Sequence, residues 1–194
     1  MLSDMKTFNS ILLAACALGA LPGRAAAQEA AQLMDKIAGV YKHRFMNAAY
    51  APGAPAGKDD PYQSEDVIEI VPFDATHVYV RADLEFYNGH QCGISGMAGF
   101  ENGKFAYHDP EPPIGAHLPC VLRVGVDKGK LTLSDRDGPD GESSCWTHCG
   151  VRGSLTYDIG LDKRRTIRYM DRLKASRQYK QAVDELRQAE PPAR

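Results

Sequence analysis

Little in this chain advertises an activity. Among its 194 residues there is one tryptophan, aromatic content is 8%, and neither sign of charge dominates, with 23 Lys+Arg against 25 Asp+Glu. A protein that binds nucleic acid or an anionic membrane over a broad face carries a large basic excess, so the near balance excludes both classes. No apolar run reaches the roughly 20 residues that a bilayer-spanning helix needs. The zinc signatures C-x-x-C and H-E-x-x-H are missing as well. An apolar content of 43% nevertheless excludes disorder, and the length suits one globular domain.

The first 27 residues have the anatomy of an export signal. Lys6 supplies a weak basic start, residues 11–21 are apolar, and Ala25-Ala26-Ala27 offers a small-residue cleavage site before Gln28. Leu13-Ala14-Ala15-Cys16 resembles a lipobox, which gives the alternative of a lipid anchor at Cys16 and the only expected contact with a membrane. Either route ends outside the cytoplasm, in the periplasm or beyond. Cleavage after Ala27 leaves Cys92, Cys120, Cys145 and Cys149, an even number in an exported chain, which reads as two disulfides with three connectivities open.

The remaining chain divides by charge. Residues 28–160 hold 11 Lys+Arg and 19 Asp+Glu, whereas residues 161–194 hold 10 and 5. A basic helix lying on an acidic body accounts for the split. The expected organisation is a β-barrel domain over 28–160, a helical segment over 161–190 and a frayed tail over 191–194.

Alternation of apolar and polar residues predicts the strands. In residues 76–86, Val78, Val80, Ala82, Leu84 and Phe86 face one way, and His77, Tyr79, Arg81, Asp83 and Glu85 face solvent. The same period marks 122–126, 131–133 and 151–159, with further strands over 39–45, 66–72, 90–100 and 104–108. Asn102-Gly103 predicts a two-residue hairpin pairing Phe100 with Phe105, and Lys128-Gly129 one pairing Val126 with Leu131. At Asn88-Gly89 a two-residue loop would set Glu85 against Cys92, mixing a charged row with a buried one. A three-residue loop with a bulge, pairing Phe86 with Cys92 and Leu84 with Ile94, is expected instead.

Eight strands in up-and-down order close into a mainly β, antiparallel barrel. Residues 30–38 form a short helix over the end with tight turns, and Ile167, Met170, Leu173, Tyr179, Val183 and Leu186 carry the stripe of a C-terminal amphipathic helix. Ser176 can cap a second helix there, with a break over 174–176. Because strand direction alternates, the connections 46–65, 87–91, 109–119 and 136–150 share one end. All four cysteines gather there with His90, His108, His117, His148 and Trp146. Long loops on a rigid scaffold are where function concentrates.

Candidate chemistry in this set is thin. His90-x-Cys92 and His148-Cys149 are spaced to ligate a metal, but exported thiols form disulfides. Gly93-Ile94-Ser95-Gly96-Met97 departs from the nucleophile elbow at its last glycine and lacks the strand-to-helix turn. Asp135-Arg136-Asp137-Gly138-Pro139-Asp140-Gly141 departs from a calcium loop, with Asp140 where the sixth-position glycine belongs. Asp83 and Glu85 read as solvated charges. No catalytic residue and no cofactor are expected.

Gly39-Val40-Tyr41 at the first strand, the leader, the eight-strand meander and the C-terminal helix together resemble the calycin or lipocalin-like plan, with Tyr41 where lipocalins place Trp. Asn88-Gly89-His90-Gln91-Cys92 and Cys145-Trp146-Thr147-His148-Cys149-Gly150-Val151-Arg152-Gly153 resemble runs in an uncharacterised family of exported proteobacterial proteins. Ser95-Gly96-Met97-Ala98 has a weak similarity to the S-G-x-x-Y loop of periplasmic lysozyme inhibitors. The loop-bearing end and these resemblances together give the expectation of a non-enzymatic protein that binds a periplasmic or extracellular protein through that end; His90, His117, Trp146 and His148 are the expected contact residues, because the strand order puts them there and Trp is favoured at binding hot spots. The alternatives are a carrier of a small apolar ligand inside the barrel, and a metal-binding protein or enzyme.

Overall fold

The computed structural model describes residues 22–53, 55, 58–110, 118–136, 141–149 and 153–189. Helix α1 (Pro22–Ile37) leads into β1 (Gly39–Ala49), β2 (Asp60–Pro72), β3 (His77–Glu85), β4 (Gln91–Glu101), β5 (Lys104–His108), β6 (Val121–Asp127), β7 (Lys130–Ser134) and β8 (Tyr157–Gly160). Two helices, α2 (Met170–Ala175) and α3 (Arg177–Ala189), end the described chain. The eight strands make one antiparallel sheet in sequence order. The sheet nearly closes: beyond β8 the Val40 N–H donates to the Arg165 carbonyl at 2.8 Å, and the Arg165 N–H donates back at 2.9 Å.

Turn chemistry sets the register at the tight end. Asn102 (φ 50°) and Gly103 (φ 77°) both lie in the left-handed region that a type I′ turn requires, as do Lys128 (φ 46°) and Gly129 (φ 77°). The pairs Phe100–Phe105, Val126–Leu131 and Val124–Leu133 form as their sequences predict. The β3–β4 connection is different. Leu84 pairs with Cys92 and Ala82 with Ile94, two residues from the predicted register. The connecting loop is longer than a bulged hairpin because a 3-10 turn at Tyr87–Gly89, with Asn88 and Gly89 both at positive φ, takes up the extra residues. A shift of two keeps side chains on their faces, so the buried row still meets the buried row.

Other boundaries also move. Strands β1 and β2 run on to Ala49 and back to Asp60, beyond the predicted 45 and 66, and their polar extensions pair with each other at the loop end. Strand β8 covers only Tyr157–Gly160; Leu155 is buried without belonging to it, and Val151 lies outside the described residues. Helix α1 starts at Pro22, upstream of the expected cleavage point, although its buried positions, Ala30, Met34 and Ile37, all follow Ala27.

Those three side chains join the interior cluster of Tyr41, Ile68, Val80, Leu84, Phe105, Leu122 and Leu133, so α1 closes the tight-turn end as a lid. The Tyr41 hydroxyl donates to the Ile37 carbonyl at 3.0 Å and fixes the helix to the first strand. A second cluster lies outside the barrel, where Ile167, Leu173, Tyr179 and Ala182 pack on Val40, Val71 and Tyr79. Strand β3 is therefore not a half-solvated strand as its alternation suggests. Tyr79, on its outward row, is buried, with its ring centroid 4.9 Å from that of Tyr179. The break between α2 and α3 falls at Ser176, whose Oγ accepts from the Tyr179 N–H at 3.2 Å.

Two expectations follow. A Cβ placed on Gly96 would lie 1.9 Å from the Tyr107 ring, so Gly96→Ala forces that ring out of the interior. A loss of about 1–3 kcal/mol is expected in chemical denaturation, with partial recovery on adding Tyr107→Leu. Equal stability of Gly96→Ala and the unaltered chain would show the ring is not seated there. Burial pushes the Tyr41 hydroxyl up to about 12, and burial followed by its bond to Glu69 does the same for Tyr169. The folded state holds these protons more tightly than the unfolded chain, so their contribution is complete below pH 10.0 and fades as pH rises towards 12. Phenolate absorbance followed together with circular dichroism should show these ionisations coinciding with unfolding; every tyrosine titrating near 10.0 in a folded protein would contradict this.

Candidate functional site

All described cysteines pair at the loop end, Cys92 with Cys149 and Cys120 with Cys145. One staple ties β4 to the loop before β8; the other ties the start of β6 to that same loop. Cys145 and Cys149 bracket a 3-10 turn, Trp146–His148, in which the His148 N–H donates to the Cys145 carbonyl and the Cys149 N–H to the Trp146 carbonyl. A three-residue turn is thus fastened at both ends to two different parts of the barrel, and Trp146 projects from it half-exposed at 50%.

Polar groups lock the same loop from below. Ser144 is buried, its N–H donates to the Asp135 carbonyl at 2.8 Å, and its Oγ accepts from the Val121 N–H at 3.1 Å. The Asp135 carboxylate is fully buried and accepts from the Ser143 hydroxyl and, at 3.0 Å, from the Thr156 hydroxyl. Asp135, the first acid of the calcium-loop-like run, is therefore occupied by the protein's own hydroxyls, and residues 137–140 of that run lie outside the described residues. Ser95 sits within β4, which excludes the strand-to-helix turn of a nucleophile elbow.

The residues predicted as contacts are distributed unevenly. Trp146 and His148 share the stapled turn. His90 closes the β3–β4 connection, where its carbonyl accepts from the Phe86 N–H at 2.7 Å, two residues from the Cys92 end of a staple. His117 lies outside the described residues. His148 is part-buried, and its Nε2 is 2.8 Å from Oδ2 of Asp109, whose side chain is only 8% exposed. Asp109 is the residue that sequence reasoning missed. Its signal was its place at the end of β5, where its N–H donates to the Cys120 carbonyl.

Beside this pair lies a groove of about 740 Å³. It opens because β4 and β5 stay paired only from Gly99–Ala106 to Glu101–Lys104, after which β5 diverges. Ile94 and Tyr107 are at its inner side, Arg81, Asp83 and Ser95 line the β3–β4 wall, and α3 supplies Gln178, Gln181 and Glu185 opposite. Arg81 lies between Asp83 and, at 3.3 Å, the buried Glu69, so Asp83, with its side chain 44% exposed, is both solvated and ion-paired. Burial, with the charges of Asp109 and Glu185, raises the Tyr107 phenol far above its usual range. The α3 side of the groove is legible from spacing, since Gln178, Gln181, Glu185 and Gln188 form a polar stripe on a helix. Ile94 and Tyr107 belong at the same time to the contiguous buried cluster of the interior, so the groove reaches that cluster where β4 and β5 part. The sulfurs of His90-x-Cys92 and His148-Cys149 are joined in a disulfide and offer no thiolate to a metal.

Fold and site together define a disulfide-stapled, up-and-down β-barrel with a helix on its outer wall. Comparison of the chain with protein-family profiles, with curated proteins and with solved structures found no match. Removing the imidazole from the buried Asp109 carboxylate should destabilise the loop end. His148→Leu is expected to cost about 1–3 kcal/mol and Asp109→Asn less, since the amide keeps a hydrogen-bonding partner. Thermal unfolding with both disulfides intact measures the difference, and identical midpoints for all three proteins would mean the pair is not formed.

Proposed function

We propose that the chain is an exported, non-enzymatic binding protein that engages a macromolecular partner through its stapled loop end, in its most concrete form as an inhibitor of a cell-wall hydrolase. One observation carries this reading: Trp146, the only tryptophan, stands half-exposed on a turn anchored by a disulfide at each end. Tryptophan dominates binding energy at protein interfaces more than its frequency suggests. A turn that is already rigid loses little conformational freedom on binding, so more of the contact energy appears as affinity.

The other parts of the reading agree with it. Four paired cysteines and the leader-like residues 1–27 fit export into an oxidising compartment, with release after Ala27 or retention by lipid on Cys16. The acidic excess of residues 28–160 suits a basic partner. His90 and His148 flank the contact as neighbours of Cys92 and Cys149. The resemblance to periplasmic lysozyme inhibitors and to exported proteobacterial proteins points the same way.

The test is inhibition of muramidase activity by the oxidised protein, with binding measured calorimetrically. Trp146→Ala should weaken binding by about 30-fold, equivalent to about 2 kcal/mol, while leaving the unfolding midpoint unchanged. Full inhibition by Trp146→Ala would remove this residue from the contact. Absence of binding to muramidases of every class tried would overturn the inhibitor reading.

A further inference from the structure

The groove beneath α3 is lined by more acid than base. Asp83, Asp109 and Glu185 stand against one guanidinium, Arg81, and one imidazole, His148, so the lining is negative whichever state the imidazole takes. Arg81 is already held by Asp83 and the buried Glu69, and His148 by Asp109. Glu185 is different. It is partly buried, accepts from the Gln181 amide at 2.8 Å, and has no cationic partner among the described residues.

A second, independent observation lies at the inner side of the groove. Tyr107 is only 7% exposed, yet its hydroxyl has no hydrogen-bond partner among the described residues. That hydroxyl is not sealed in the interior, because Thr147 Oγ1 is the only fully buried side-chain oxygen or nitrogen without a partner among those residues. It therefore opens on the groove that Tyr107 lines. There it lies under the charges of two acids from separate elements, Asp109 at the end of β5 and Glu185 on α3. Beside these polar groups the lining is apolar, with Ile94, Pro110, Ala182 and Ala189.

We propose that the groove binds a primary alkylammonium group, which donates to Tyr107 Oη and the Glu185 carboxylate while its methylene chain lies on the apolar lining. An ammonium carries three N–H donors and no acceptor, which matches an open phenol oxygen beside carboxylates. An anionic ligand would be repelled by the same acids, and a neutral hydroxyl would leave their charge unused. Carboxylates partly withdrawn from water attract a cation more strongly than those on an open surface. The aliphatic stem of such a ligand gains from covering apolar side chains while its head stays among polar ones. The volume of about 740 Å³ falls within the range of about 300–1,000 Å³ typical of ligand sites. A free diamine or polyamine and the lysine side chain of a protein share this chemistry. The site does not depend on Trp146 and stands apart from its role in binding a partner.

The oxidised full chain is titrated calorimetrically with cadaverine, with Nα-acetyl-lysine N-methylamide, and with the neutral pentanediol of the same chain length as cadaverine. At least one amine should bind with a Kd of about 1 mM or tighter, and the diol at least about tenfold more weakly. Tyr107→Phe keeps the ring over Gly96 and removes only the oxygen, so it should weaken amine binding about three- to tenfold. Glu185→Gln, which still offers Gln181 an acceptor, should weaken it at least about tenfold. On the unaltered protein, NMR should place the methylene protons of the bound amine close to the methyl groups of Ile94 and Ala182. Tighter binding of the blocked lysine than of cadaverine would assign the site to a lysine side chain of a protein, and the reverse to a free diamine or polyamine. Equal binding of the diol, affinity unchanged in both variants, or no binding of either amine at about 10 mM would each overturn the proposal.

Discussion

Every strand of this barrel hydrogen-bonds to the strand that follows it in sequence, and the positions of the loops follow from that constraint. Antiparallel pairing of neighbours sends successive connections to opposite ends. The two-residue turns at Asn102-Gly103 and Lys128-Gly129 fall at one end, and the long connections at the other. The tight end is then free to be closed by α1, which buries Ala30, Met34 and Ile37 against the interior. Among the described residues of the loop end, covalent bonds and buried polar groups hold the structure together.

The buried carboxylates of Asp66, Asp135 and Glu69 mark places where the strand ladder alone does not hold the structure together. Asp66 accepts from the Tyr157 hydroxyl at 2.7 Å and from the Glu85 N–H at 2.9 Å, linking β8 to the opposite side of the β1 seam. Asp135 gathers Ser143 and Thr156 around the stapled loop. Glu69 lies under the C-terminal segment, bonded to Tyr169 and Arg81. A buried carboxylate is costly unless its oxygens are satisfied, so each accepts only a geometry in which its own partners are present. The apolar interior drives collapse without direction, and these groups favour one arrangement of loops and tail.

Much of the fold was readable from alternation and turn residues. The registers at Phe100–Phe105 and Val126–Leu131 depended on local chemistry, because a type I′ turn admits few residue types and fixes the pairing around it. The β3–β4 register was readable only to its parity. Facing is a property of each strand's own pattern, whereas the length of the loop depended on bonds that the 3-10 turn makes elsewhere, such as the Gly89 N–H to the Tyr62 hydroxyl and Asn88 Oδ1 to the Tyr50 N–H. The outward row of β3 differs from its expectation for a similar reason: a strand's alternation does not reveal that a helix about 100 residues later covers Tyr79 with Tyr179.

The sequence by itself determined the class of structure, the direction of each strand, the end at which the cysteines and Trp146 collect, and the break at Ser176. All of these rest on interactions between residues close in the chain or on the parity of strand reversal. Tertiary structure alone decided which cysteines pair, that His148 turns to Asp109, that β4 and β5 part to open a groove beneath α3, and that Asp66, Glu69 and Asp135 are buried. Those outcomes depend on distances between segments far apart in sequence. Side-chain period and turn chemistry say which face a residue occupies, but only closure of the barrel says what stands opposite it.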